Sequence, residues 1–288
     1  MSAVPVWLLL RGLSRSAAHW GELPMTWQAA LRRAVHPQAR VVCLDLPGNG
    51  RRWRERSPVR VEALADDLRQ QWQALRPTLH DDAGQPLADV ALHLLALSMG
   101  GMVALAWARR WPDELSRIVL VNSSLGGLAP LHWRMRPSAW PTLIRLLALP
   151  ASDRACEEAL FTLTSQRPAL RTSAVNAWIT LRRAEPVSRA NVLRQLIAAA
   201  RFRLGETADL SASRVPLQVI CSAADALVDP RSSRRLADAA GAPLLRHPDA
   251  GHDLALDDPA WLIEALLASI RPSGPPHDAR PAWPAPPA

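Results

Sequence analysis

The sequence predicts an α/β fold, in which a mostly parallel sheet of about six strands carries helices on both faces and a helical insertion. Three observations carry that prediction. Short apolar runs alternate with helix-period segments, as right-handed βαβ units require. The runs are apolar at successive positions, which marks strands covered on both faces. The alternation then stops between Val121 and Val215, where only helix-like segments are found.

In chain order the strand-like runs are Val4–Leu10 (VPVWLLL), Val41–Leu46 (VVCLDL), Val90–Leu97 (VALHLLAL), Ile118–Val121 and Leu217–Cys221. Leu244–Leu245 is a weaker sixth. Residues Val61, Leu64, Ala65, Leu68, Trp72 and Leu75 form one stripe at the helical period over Val61–Leu75, and Pro77 follows, as near a helix end. Met102–Arg110 reads as the helix after the third run. The insertion is broken at Pro130, Pro137, Pro141, Pro150, Pro168 and Pro186; its segment Ser188–Phe202 sets Val192, Leu193, Leu196, Ile197 and Ala200 along one face. Pro259–Ile270 reads as a last helix, with Asp257 and Asp258 at its start to complement the helix dipole. The expected organisation is therefore a core from residues 1–123 and 206–270, a helical cap insertion over 124–205, and a Pro- and Ala-rich disordered tail over 271–288.

Composition bounds the function. The chain has 288 residues, 49% of them hydrophobic, so a large core is available and whole-chain disorder is excluded. No apolar run is long enough to span a bilayer, and the opening run lacks the basic lead-in of a secretory signal. The net charge is +8 and every basic residue is Arg, with no Lys and no Tyr. That balance invites a nucleic-acid reading, but the arginines are spread from Arg11 to Arg280 among Asp and Glu. Only Arg51–Arg56 (RRWRER) is dense, and a binding face needs its charge gathered. A GC-rich coding bias accounts for the pattern, so no nucleic-acid partner is expected. Cys43, Cys156 and Cys221 are odd in number and far apart, which argues against a disulfide framework or a metal site and fits a reducing cytoplasm.

The chemistry is concentrated at Ala96-Leu97-Ser98-Met99-Gly100-Gly101, where a small-x-Ser-x-Gly pattern follows an apolar strand and opens a helix. Such a turn is so tight that side chains two before and two after the serine would collide. It lifts Ser98 above the sheet at a helix N-terminus that favours negative charge. A serine hydroxyl is a poor nucleophile without a base and an acid that orients that base. Of the eight histidines, His277 falls in the tail, His80 in a polar loop, His132 in the insertion and His36 at a surface turn. His93 lies inside an apolar strand and reads as a satisfied core residue. His247 and His252 remain; His252 follows Gly251 in a loop after the last strand, and is favoured over His247 as the base. After Leu217–Cys221, Asp225 is the first carboxylate and is favoured as the acid, while Asp229 before Pro230 suits a helix N-cap. Backbone N–H groups of Met99 and of Leu13, the latter beside Gly12 after the first strand, are the candidate donors to an oxyanion. With no Tyr in the chain, no phenol can share that role.

With LLLRGL, DLPGNG, ALSMGGMVA, SAADALVDP and HPDAGHDLALDDP in place, the chain resembles the α/β-hydrolase superfamily over roughly residues 4 to 270, in the order Ser98, Asp225, His252. The resemblance is to its serine-nucleophile, cap-bearing, esterase-like branch. It implies a strand order of second, first, third, fourth, fifth, sixth, and serine hydrolase chemistry with no cofactor or metal. The implied substrate is a small-molecule ester or thioester cleaved through an acyl-serine. Acyltransferase or carbon–carbon hydrolase chemistry, or a catalytically silent ligand-binding protein, are the alternatives. Arg11 stands where members usually carry His before the oxyanion-loop glycine, Asn49 stands where DLPGHG-like members carry His, and Ala96 replaces the first elbow glycine. Trp133, Trp140 and Trp178 in the insertion raise an apolar acyl pocket, or simple packing of cap on core; Arg51–Arg56 raises a contact to an anionic substrate group, or a solvated loop.

Overall fold

The computed structural model describes residues 3–203, 210 and 214–270. The expected tail from residue 271, and the end of the expected insertion beyond Arg203, lie outside the described residues. Among the described residues there are six strands, all parallel: β1 (Val4–Leu10), β2 (Arg40–Leu44), β3 (Val90–Leu97), β4 (Arg117–Val121), β5 (Leu217–Ser222) and β6 (Leu244–His247), in the spatial order β2-β1-β3-β4-β5-β6. This is the order that the resemblance implies.

The helices in chain order are α1 (Leu23–Ala34), α2 (Val61–Leu75), α3 (Met99–Arg110), α4 (Leu131–Arg134), α5 (Trp140–Ala148) and α6 (Asp153–Thr164). They continue with α7 (Arg171–Ala184), α8 (Arg189–Arg201), α9 (Pro230–Ala240), α10 (Leu254–Asp257) and α11 (Pro259–Ile270). Helices α4 to α8 all fall between β4 and β5. No described helix is long and apolar enough to cross a membrane.

Side chains alternate across a strand, so a run apolar at every position feeds two cores at once. Val6, Leu8 and Leu10 of β1, with Leu92, Leu94 and Ala96 of β3, pack against Val61, Leu64 and Leu68 of α2 and Val103 and Trp107 of α3. The intervening Trp7, Leu9, Leu95 and Leu97 pack on the other face, against Trp27 and Leu31 of α1 and Leu262 and Leu266 of α11. A third cluster of Phe161, Val175, Trp178 and Ile179 joins α6 to α7. Fully burying each of these large side chains stabilises the fold by about 1.5–3 kcal/mol before the cost of ordering it.

Two expectations are corrected. β2 is half-buried throughout and β6 nearly so, because they are the sheet's edges and have a strand on one side only. Helix α8 does not bury its apolar stripe: Asn191, Gln195 and Ala198 are inside, and Leu193 is 51% exposed. The polar face of α8 turns inward because it satisfies loop backbone, as described below. Elsewhere the local signals hold. Asp229 caps α9 by accepting from the Arg231 N–H at 3.0 Å, Pro230 opens that helix, and Gly241 closes it in the left-handed region. The three cysteines are free.

Candidate active site

Ser98 sits between β3 and α3 with φ 56° and ψ −119°, a strained backbone for a side-chain-bearing residue. The strain is held by close packing. A Cβ on Gly100 would stand 2.6 Å from the Leu10 carbonyl oxygen, and one on Gly101 2.5 Å from Ser123 Oγ. Only glycine lets α3 approach the ends of β1 and β4 so closely. Ser98 N–H donates to the Val121 carbonyl at 2.8 Å, and Ser123 Oγ donates to the Ser98 carbonyl at 2.8 Å.

The loop after β1 is pressed against this turn. A Cβ on Gly12 would lie 2.9 Å from the Ser98 Cβ. Among the described residues the N–H groups of Leu13 and Met99 have no acceptor. The loop itself is fastened from outside. Ser14 N–H donates to Gln195 Oε1 at 2.9 Å, Gln195 Nε2 donates to Asn49 Oδ1 at 2.8 Å, and Asn49 Nδ2 donates to the Arg15 carbonyl at 3.1 Å. One turn away on α8, Asn191 accepts from Ser57 N–H at 3.0 Å and donates to the Glu55 carbonyl at 2.8 Å.

Asp225 and His252 come together from the loops after β5 and β6. His252 Nδ1 lies 2.7 Å from Asp225 Oδ2, and both side chains are buried. The other carboxylate oxygen of Asp225 accepts from the N–H groups of Leu227 and Val228, each at 2.8 Å, so both oxygens of the carboxylate are held. Asn122, at the end of β4, donates to the His252 carbonyl at 2.8 Å and to Ser222 Oγ at 3.0 Å, and accepts from Ser222 N–H at 2.8 Å. It ties the two loops together.

Arg11, immediately before Gly12, places Nη1 3.0 Å and Nη2 2.6 Å from the two oxygens of Asp253, the residue after His252. Its guanidinium also lies 4.8 Å from the Trp20 ring centre. Both partners are 4% exposed. Burial alone would push the Asp253 carboxyl up; the Arg11 guanidinium outweighs it and holds that carboxyl below the usual carboxylate range.

Ser98, Leu13, His252 and Asp253 open on one cavity of about 210 Å³. Its further wall is largely aliphatic, with Leu143, Leu146 and Leu147 from α5 and Leu160 and Leu163 from α6. The insertion's tryptophans do not line it: Trp178 packs in the α6–α7 cluster, Trp133 stacks under Arg231 at 4.2 Å, and Trp140 is partly exposed. None of Arg51 to Arg56 lines it either; Arg52 pairs with Glu55 and Asp67, and Arg54 stacks on Trp53.

His247 lies outside the cavity wall, with Nε2 3.1 Å from Asp258 Oδ2 and Nδ1 accepting from Ala250 N–H at 2.9 Å, so it shapes the loop that carries His252. His93 is not the satisfied core histidine expected. It stacks on Trp7 at 5.0 Å, its Nδ1 has no partner among the described residues, and burial followed by Arg117 lowers its pKa to about 4. Among the described residues no group of His, Cys, Asp and Glu is arranged to hold a metal ion.

Sequence reading flagged Arg11 and Asn49 only as departures and missed Asn122, Gln195 and Asp253. Their signal is polarity inside or beside apolar segments, with partners a hundred or more residues away for Asn122 and Gln195 and 242 away for Asp253.

A model of the alpha/beta hydrolase family matches residues 7–265. The chain is 31% identical over 264 residues to a pimeloyl-[acyl-carrier protein] methyl ester esterase of Aromatoleum aromaticum, covering 86% of this chain and 95% of that one. Among solved structures it is similar to an enol-lactonase from Burkholderia xenovorans LB400 (TM-score 0.68, 20% identity, covering 93% of this chain and 92% of that one). It is also similar to a thermophilic esterase from Thermogutta terrifontis (TM-score 0.67, 21% identity, covering 94% and 90%).

Proposed function

The chain belongs to the alpha/beta hydrolase family, and from that premise we propose that it is a serine hydrolase cleaving a carboxylic ester or thioester through an acyl-Ser98 intermediate. The observation that carries the reading is the buried 2.7 Å contact between His252 and Asp225, with His252 facing the cavity onto which Ser98 also opens. Asp225 accepts the Nδ1 proton and so leaves Nε2 as the basic nitrogen of a neutral imidazole.

In the first half-reaction Nε2 takes the Ser98 proton as Oγ attacks the carbonyl carbon. The carbonyl oxygen becomes an oxyanion facing the unpaired N–H groups of Leu13 and Met99. Collapse breaks the bond to the leaving alcohol or thiol, which takes the proton from Nε2. Water then repeats the sequence on the acyl-serine, releasing the carboxylic acid and returning the proton to Ser98. Ser98 Oγ has no hydrogen-bond partner among the described residues, and catalytic contacts of this kind commonly tighten only around bound substrate. Helices α4 to α8 act as a cap whose leucines exclude water from the acyl chain. The relative named as a methyl ester esterase supports the ester as the bond attacked.

The test is labelling by a fluorophosphonate probe beside turnover of p-nitrophenyl esters. Wild-type protein is expected to label and to hydrolyse, and Ser98→Ala to do neither. Equal labelling of the two proteins would sink the assignment.

A further inference from the structure

The cavity holds a second charged cluster that the proposed chemistry does not use. Glu157 of α6 is 2% exposed and accepts two guanidinium groups: Arg15 Nη1 reaches Oε2 at 2.9 Å, and Arg182 Nε of α7 reaches Oε1 at 2.6 Å. Arg15 is stacked on the Trp178 ring at 4.1 Å and touches His19 at 3.1 Å, so it is fixed. All four polar residues line the cavity that contains Ser98.

One carboxylate between two guanidinium groups leaves a positive charge uncompensated. Elsewhere in the wall, Asp253 already neutralises Arg11, and Arg189 and Glu185 balance each other in number. Among the described residues, Arg182 uses only Nε; its Nη1 and Nη2 have no partner, and the side chain is 30% exposed. Because Glu157 occupies the Nε side, the fork left open is the Nη1–Nη2 edge, whose two parallel donors match a carboxylate. The surrounding wall is aliphatic, which weakens competition from water and strengthens a charged contact.

We propose that Arg182, backed by Glu157 and Arg15, is a carboxylate subsite, and that the preferred substrate is an ester or thioester whose aliphatic chain carries a free carboxylate. The inference rests on the serine hydrolase reading and deepens it. Glu157 has a positioning part here: it orients Arg182 and offsets one of the two charges, so that a single anion restores neutrality.

The experiment compares two families of p-nitrophenyl esters of equal chain length, six to ten carbons: half-esters of straight-chain dicarboxylic acids, and esters of the matching monocarboxylic acids. For the wild type, kcat/KM for the half-ester is expected to exceed that for the neutral ester by about tenfold at its best length, the difference lying in KM. In Arg182→Gln that ratio is expected to fall about tenfold, with Arg182→Lys recovering part of it as a point charge without the fork. A wild-type ratio of one or below overturns the subsite whatever becomes of the variants, and so does a ratio that Arg182→Gln leaves unchanged. Turnover of neutral esters alone leaves the serine hydrolase reading standing, whereas turnover of neither family removes both.

Discussion

A guanidinium stripped of water needs acceptors, and Arg11 finds two of them in the carboxylate of Asp253. Removing one partner strands the other as a buried charge. Arg11→Met is expected to cost about 3–5 kcal/mol in urea unfolding, while the double variant Arg11→Met with Asp253→Leu recovers most of it. Additive losses in that cycle would show that the two residues act separately. At Asp225 the expectation is kinetic. Asp225→Asn keeps an oxygen for Leu227 and Val228 but turns an amide toward His252, and kcat/KM should fall about 10³–10⁴-fold with little change in Tm. His93 gives a prediction of opposite kind. Its folded pKa of about 4 lies below the unfolded value, so the unfolded chain binds the proton first. Stability is then lost as pH falls from about 6.5 toward 4, by about 2 kcal/mol at pH 4.5 from this residue. His19, whose pKa burial and then Arg15 hold well below the usual value, adds a loss of the same sign. His93→Phe, which keeps the stack on Trp7, should flatten that part of the curve in denaturant titrations at pH 7 and 4.5.

Helix α8 shows why an element can be found by pattern and still be oriented wrongly. Its apolar residues repeat at helical spacing, so its existence between Ser188 and Phe202 is legible in the sequence. Which face turns inward is decided by the loops beneath it, whose backbone N–H and carbonyl groups lie too deep for water and need side-chain partners. Asn191 and Gln195 supply them; Val192 and Leu196 face the cavity, and Leu193 faces solvent. Gln195→Ala should therefore loosen Ser14 and Asn49 and lower kcat/KM for a p-nitrophenyl ester about tenfold, with a loss of about 1–3 kcal/mol in stability. Leu193→Ser should change stability by less than about 0.5 kcal/mol. Equal effects from the two substitutions would mean that the helix packs by its apolar stripe after all. The strands were easier to read, since continuous apolarity has one meaning in a doubly covered sheet; only the edge positions of β2 and β6 escaped, because a run of five or six residues does not announce its number of neighbours.

Across the described molecule many of the arginines are spread among separate ion pairs. Arg32 and Arg40 share Asp82, Arg69 meets Glu114, Arg167 meets Asp249, and Arg171 and Arg183 find Glu158 and Asp153. Such exposed pairs contribute little to stability, but each neutralises a charge that a polyanion would need. The protein should leave a heparin column at modest salt, with a shallow dependence of binding on ionic strength; a steep one would reveal a gathered basic face. The strands, the elbow and the loops bearing Asp225 and His252 could all be read from sequence because each depends on a local signal; the sheet order follows only from the family resemblance. The contacts that fasten those loops could not, because they join residues that have no sequence relation. One of them has a consequence for how the protein comes to life. The pair between Arg11 and Asp253 spans 242 positions, joining the loop after β1 to the loop after β6. During synthesis the segment bearing Ser98 emerges long before the one bearing His252 and Asp253, so the loop after β1 waits for its buried partner until β6 and its following loop have left the exit tunnel. A fragment that stops short of His252 should therefore leave Arg11 as an unpaired charge and show no hydrolysis of p-nitrophenyl esters.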